Sequence, residues 1–125
     1  MRILIADDSM EIALRLQRLL LDLPFVTSAV VKHTTDAAVA ELQTNPPDLL
    51  ILDHHFPEGK GLDVLRQMIS YENGYRVVVF SAYADSLEIE RYNDFNIDAL
   101  LDKSRDLDNL LDMVSRMHEA GIRQN

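Results

Sequence analysis

Short apolar runs without polar alternation recur along the chain, at residues 3–6, 25–31, 49–52, 77–80 and, more weakly, 99–101. A strand with one wet face alternates apolar and polar residues. Runs bounded this way, without polar alternation, therefore suit strands covered on both faces, as in a parallel sheet. Helical periods lie between them. After Ser9, placed to act as an N-cap, Ile12, Leu16, Leu19, Leu20 and Leu23 recur at helical spacing, and Pro24 stops the pattern. Ala38, Val39 and Leu42 mark a short second helix that ends near Asn45, Pro46 and Pro47. Leu62, Leu65, Met68 and Ile69 mark a third. Residues 85–92 form the weakest pattern, a fourth helix with few apolar positions. The fifth carries Leu107, Leu110, Leu111, Val114 and Met117, with Ser104 read as its cap.

The sum is an α/β chain of (βα)5 form. Right-handed crossovers place helices on both faces of a five-stranded parallel sheet, and the expected strand order is 2-1-3-4-5, the doubly wound, flavodoxin-like arrangement. With 125 residues, the expectation is one domain over 1–125 with no effector domain after the fifth helix. No cysteine occurs, which removes disulfides and thiolate metal sites and agrees with a cytoplasmic location. The apolar runs fall far short of the ~20 residues of a membrane span. Residues 1–5 enter structure at once and reach Asp7 too early for a signal peptide. The net charge of −9 argues against direct nucleic-acid binding, which needs clustered Lys and Arg.

In doubly wound sheets, ligands bind beyond the carboxyl ends of the strands. There this chain places Asp7 and Asp8 after strand one, Asp53 after strand three, Ser81 after strand four and Lys103 after strand five. Each alone has an ordinary explanation: turn chemistry for the Asp pair and Ser81, a solvated surface charge for the lysine. Four strands delivering three carboxylates, a hydroxyl and an ammonium to one rim is a combination hard to obtain by chance. Carboxylates so close together repel, raising a pKa or requiring a cation. Oxygen-only ligands at a partly open, charge-rich site favour Mg2+. A phosphoryl group could lie between that metal and Lys103, with Asp53 as the nucleophile, since phosphoryl transfer needs chiefly positioning and charge neutralisation.

The segment Asp53-His54-His55-Phe56-Pro57-Glu58-Gly59-Lys60-Gly61, with Ile5-Ala6-Asp7-Asp8-Ser9 before it and Phe80-Ser81-Ala82 and Asp102-Lys103-Ser104 after it, resembles the receiver domain of two-component response regulators over essentially the whole chain. The resemblance implies that Asp53 is the phosphoacceptor. It implies an acidic pair, with Asp8 the more direct Mg2+ ligand and Asp7 acting largely through water, and the backbone carbonyl of His55 as a further ligand. Ser81 would turn its hydroxyl toward the phosphoryl group and Lys103 would pair with it. The implied donor is a histidine kinase or histidine phosphotransfer protein. Output would run through contacts with a downstream protein, or a homodimer, on the face of helix 4, strand 5 and helix 5. Such a domain is no enzyme beyond promoting its own phosphorylation and dephosphorylation.

The chain also departs from the pattern. Leu100 stands where many receivers have an aromatic residue that moves with the hydroxyl residue. Ser104 replaces the usual proline after the lysine, and Gly59 replaces a commonly apolar side chain, which would loosen the loop. His54 and His55 read as an exposed loop pair; His55 and Tyr83 lie where they could influence how water reaches the phosphoryl group. Leu100 supports the alternative of a vestigial receiver acting as a phosphorylation-independent interaction module. An aspartyl phosphatase of haloacid-dehalogenase type would need its two acids two residues apart rather than adjacent. No Gly-rich phosphate loop supports a nucleotide or flavin site.

Overall fold

The computed structural model describes residues 1–69, 74–82 and 87–124, without the side chains of 87–89 and 122–124. The elements are β1 (Arg2–Ala6), α1 (Met10–Leu21), β2 (Ser28–Lys32), α2 (Thr35–Thr44), β3 (Leu49–Leu52), β4 (His55–Phe56), β5 (Gly59–Lys60), α3 (Gly61–Gln67), β6 (Arg76–Ser81), a 3-10 helix (Leu87–Asp94), β7 (Ala99–Asp102) and α4 (Leu107–Gln124). Five strands form one parallel sheet in the order β2-β1-β3-β6-β7. Counting only the strands of that sheet, this is the expected order 2-1-3-4-5.

Successive residues of the central strands feed opposite cores, as the two-residue period of a strand requires. Ile3, Ile5, Leu49, Ile51, Val78 and Phe80 pack with Ala13, Leu16 and Leu20 of α1 and with Leu110, Val114 and Met117 of α4. Leu4, Ala6, Leu50, Leu52, Val77 and Val79 face the other way, onto α2, α3 and Tyr92. Every residue of β3 is buried, so the strand's unbroken apolar run covers both faces at once. Leu50→Ala is expected to cost about 2–5 kcal/mol, because Leu50 is wholly buried and truncation leaves a cavity. Ile69→Ala, at a side chain 75% exposed, is expected to change stability by under ~0.5 kcal/mol. Urea midpoints of the two variants measure the contrast.

Several local expectations are corrected. Ile69 lies past the end of α3 and faces solvent. The fourth helical segment is 3-10 over Leu87–Asp94, and Asp85 falls outside the described residues, as does Tyr83. Ser104 does not cap the last helix: its N–H and hydroxyl both donate to Asp102 Oδ1, at 2.8 and 2.5 Å. The Asp106 carbonyl accepts the first intrahelical bond instead, from Leu110. Gly59 lies in a paired strand rather than an open loop. It pairs with Phe56 in the antiparallel β4–β5 hairpin, where a Cβ would come within 2.9 Å of Asp63 Oδ2.

Candidate functional site

The register of the sheet builds the site. Ala6 pairs with Leu52, so Asp7 and Asp53 leave adjacent strands at the same level, and the Asp53 N–H donates to the Ala6 carbonyl at 2.9 Å. Leu52 pairs with Val79, so β6 runs two residues further before ending at Ser81, which pairs with Asp102. Lys103 follows at once, its N–H donating to the Ser81 carbonyl at 3.1 Å. All of these residues stand at the carboxyl edge of the sheet.

Asp7, Asp8 and Asp53 each offer a carboxylate oxygen, and the three lie within 4.8 Å of one another. Asp7 and Asp53 are buried, whereas Asp8 faces solvent. The Lys103 ammonium sits 2.5 Å from Asp7 Oδ2 and 3.0 Å from Asp53 Oδ2. The other oxygens are held too. Asp7 Oδ1 accepts from the Ser9 N–H at 2.9 Å, and Asp53 Oδ1 accepts from the His54 N–H at 2.7 Å. Around the edge of the site, His33 Nδ1 donates to the Asp7 carbonyl at 3.0 Å.

Burial pushes the Asp7 carboxyl above its ordinary range, against the hydrogen bond and charge of Lys103, and the Asp53 charge adds to the rise. Burial opposes the Lys103 charge, but Asp7 and Asp53 outweigh it, so its pKa is raised. This is the response of carboxylates crowded around one cation, and hard oxygen donors in such a set fit a divalent ion such as Mg2+.

The loops carrying these groups are pinned by other carboxylates. The hydroxyl and N–H of Ser104 lower the Asp102 pKa, and Asp106 is lowered by the Asp102 N–H and the Asn109 amide. Glu58, at the β4–β5 turn, accepts from the Thr35 N–H at 2.6 Å and from its hydroxyl at 3.1 Å, which lowers its pKa and ties the hairpin to the start of α2. The sign for stability follows by linkage. These three depressed groups stabilise the fold above their ordinary values of 3.8 and 4.5, and that contribution is lost as pH falls through the lower folded values. Asp7 acts oppositely: its raised pKa costs stability while it is ionised, a cost relieved on acidification. Denaturant midpoints are therefore expected to fall below about pH 4.5, and to fall less steeply in Ser104→Ala, which removes one hydrogen bond from Asp102.

Of the residues expected at this rim, Asp7, Asp8, Asp53 and Lys103 come together directly, and Ser81 stands beside them, wholly buried, at the end of β6. His55 opens the β4–β5 hairpin and is half-buried. His54 is not an exposed loop residue. Its ring is wholly buried, with Nδ1 2.7 Å from the Tyr92 hydroxyl, so its polar nitrogen is satisfied inside the protein. Tyr92 was not among the expected site residues, because it lies 38 positions away in the segment with the weakest helical pattern.

Comparison with known proteins agrees with this fold. The N-terminal domain of an uncharacterized protein of Wolinella succinogenes superposes with a TM-score of 0.89 at 16% identity, covering 100% of this chain and 99% of that one. A CheY-like receiver domain of Methanospirillum hungatei does so at 0.82 and 22%, covering 99% and 98%. The response regulator TrrA of Thermotoga maritima, solved in complex with Mg2+ and BeF, does so at 0.79 and 23%, covering 92% and 96%. At these identities the likeness establishes the fold. No curated protein sequence matches the chain. The family model of the response regulator receiver domain matches residues 3–115, which takes in every rim residue described above. The chain therefore belongs to the response regulator receiver domain family.

Proposed function

We propose that this receiver accepts a phosphoryl group on Asp53 from a phosphohistidine, with Mg2+ as cofactor, and signals through protein contacts in a two-component or phosphorelay pathway. The observation that carries the reading is the convergence of Asp7, Asp8 and Asp53 within 4.8 Å, with Lys103 Nζ 3.0 Å from Asp53 Oδ2. Asp7, Asp8, Asp53 and the His55 carbonyl would hold the metal. Bound there, Mg2+ would neutralise charge on the phosphoryl oxygens.

The rest is done by the chain. An Asp53 oxygen attacks phosphorus, an O–P bond forms as the donor's N–P bond breaks, and the electron pair returns to the imidazole nitrogen, which takes up a proton. Lys103 and the Ser81 hydroxyl hold the equatorial oxygens. Water later attacks the acyl phosphate, releasing inorganic phosphate and restoring the carboxylate. The domain thus promotes only its own modification and its reversal.

The donors in this reading are a histidine kinase or a histidine phosphotransfer protein, in the cytoplasm. Among the described residues no helix is long and apolar enough to cross a membrane. The output face is that of the 3-10 helix, β7 and α4, which contacts a downstream protein or a second copy. Radiolabelled phosphotransfer tests the reading. Label placed on a histidine kinase or phosphotransfer protein of the source organism should move to this chain in the presence of Mg2+ and stay on the donor when the metal is chelated. Transfer to no such donor would count against it.

A further inference from the structure

His54 joins the site to a distant segment by groups at both ends of the residue. Its N–H donates to Asp53 Oδ1 at 2.7 Å, and its carbonyl accepts from the Gly61 N–H at 2.8 Å. The ring Nδ1 lies 2.7 Å from the Tyr92 hydroxyl, with the rings edge-on at 5.4 Å between centroids. Both side chains are buried, at 0% and 1% exposure. A hydrogen bond so removed from water is costly to break on one side only.

The packing leaves little slack. A Cβ at Gly61 would collide with the Asp53 carbonyl oxygen and lie 2.7 Å from the Tyr92 hydroxyl, so α3 closes on both ends of this link only because position 61 is glycine. The His54 ring also meets the His55 ring edge-on, 4.7 Å between centroids, at the start of the β4–β5 hairpin. Tyr92 belongs to the 3-10 helix, a geometry with poorer hydrogen bonds than an α-helix and hence one that can be reset at modest cost. Leu100 packs against the same core cluster as Tyr92 and supplies no ring of its own for a hydroxyl-to-aromatic relay.

We infer that Tyr92 is a positioning residue for chemistry at Asp53, acting through His54, and that the same link carries the state of Asp53 to the 3-10 helix. The hydroxyl fixes the imidazole, the imidazole fixes the 53–54 peptide, and the peptide N–H holds Oδ1 while Oδ2 faces Lys103. A group bonded to Asp53 competes with that N–H for the carboxylate and so alters the hold on Tyr92. Coupling of this kind is reciprocal for binding: whatever biases the 3-10 helix biases the affinity of the Asp53 site for a phosphoryl mimic by the same free energy. The inference rests on the reading of Asp53 as phosphoacceptor.

Two variants test it. Tyr92→Phe deletes the hydroxyl and keeps the ring. The double variant His54→Leu/Tyr92→Phe removes both polar partners, which avoids stranding a buried nitrogen and protects the fold if the single variant is unstable. Each is compared with wild type for the rate of phosphorylation by acetyl phosphate with Mg2+. The amide NMR shifts of residues 90–95 on adding beryllofluoride, a phosphoryl mimic, are the second readout. In both variants the rate should fall about fivefold or more, the lower end of ordinary coupling, and the shifts of residues 90–95 should shrink to less than half. A double variant with wild-type rate and wild-type shifts would overturn the inference alone. Wild-type protein that takes up neither phosphoryl group nor beryllofluoride would overturn the reading of Asp53, and this inference with it.

Discussion

Asp53→Asn is expected to abolish phosphorylation while leaving the fold intact. The substitution removes the nucleophilic oxygen but keeps a planar group of nearly the same shape. The asparagine carbonyl can still accept from the His54 N–H, which now reaches Asp53 Oδ1 at 2.7 Å. The main sheet, the cores on its two faces and the Asp7–Lys103 pair do not depend on the replaced oxygen. Incorporation of label from a phosphodonor should therefore fall to background, with the circular dichroism spectrum and the Mg2+-free melting curve of a folded protein. Label appearing at wild-type level in Asp53→Asn would place the acceptor elsewhere.

Lys103→Ala is expected to destabilise the metal-free protein by about 3–5 kcal/mol, the usual result of taking one partner from a buried ion pair. The lysine side chain is 8% exposed and its partners Asp7 and Asp53 are 4% and 6%, so solvent cannot replace the ammonium without rearrangement. Loss on that scale lowers Tm by roughly 10 °C or more for a domain of this size. Mg2+ should restore much of it. Ion and ammonium compensate the same carboxylates, so the rise in Tm with saturating Mg2+ should be larger in Lys103→Ala than in wild type. Phosphorylation should suffer more than metal binding, because the variant keeps all three carboxylates and loses the cation that would face the phosphoryl oxygens. Thermal melts with and without Mg2+, alongside isothermal titration, give both comparisons.

The main sheet was legible because its central strands lie under helices on both sides. Leu49 to Leu52 had to be apolar at every position, and that unbroken run is what sequence reading detects. The rim was legible for a related reason. Charged residues directly after buried strands are conspicuous, and the topology alone sends Asp7, Asp53, Ser81 and Lys103 to one edge. What escaped depends on contacts between distant residues. A histidine in a loop reads as exposed unless its partner is known, and the partner of His54 is Tyr92, in a segment with little apolar periodicity. Ser104 looked like a helix cap, but Asp102, two residues earlier, captures both its N–H and its hydroxyl and leaves the start of α4 to Asp106. The β4–β5 hairpin has two-residue strands, too short for any period to register.

One measurement bears most directly on the chemistry. The intact protein is incubated with acetyl phosphate and Mg2+, weighed by mass spectrometry, and the modified residue is located after borohydride trapping. A single added phosphoryl group is expected, lost in mild alkali, dependent on Mg2+ and mapped to Asp53. No added mass, or an alkali-stable adduct on a histidine or serine, would contradict it.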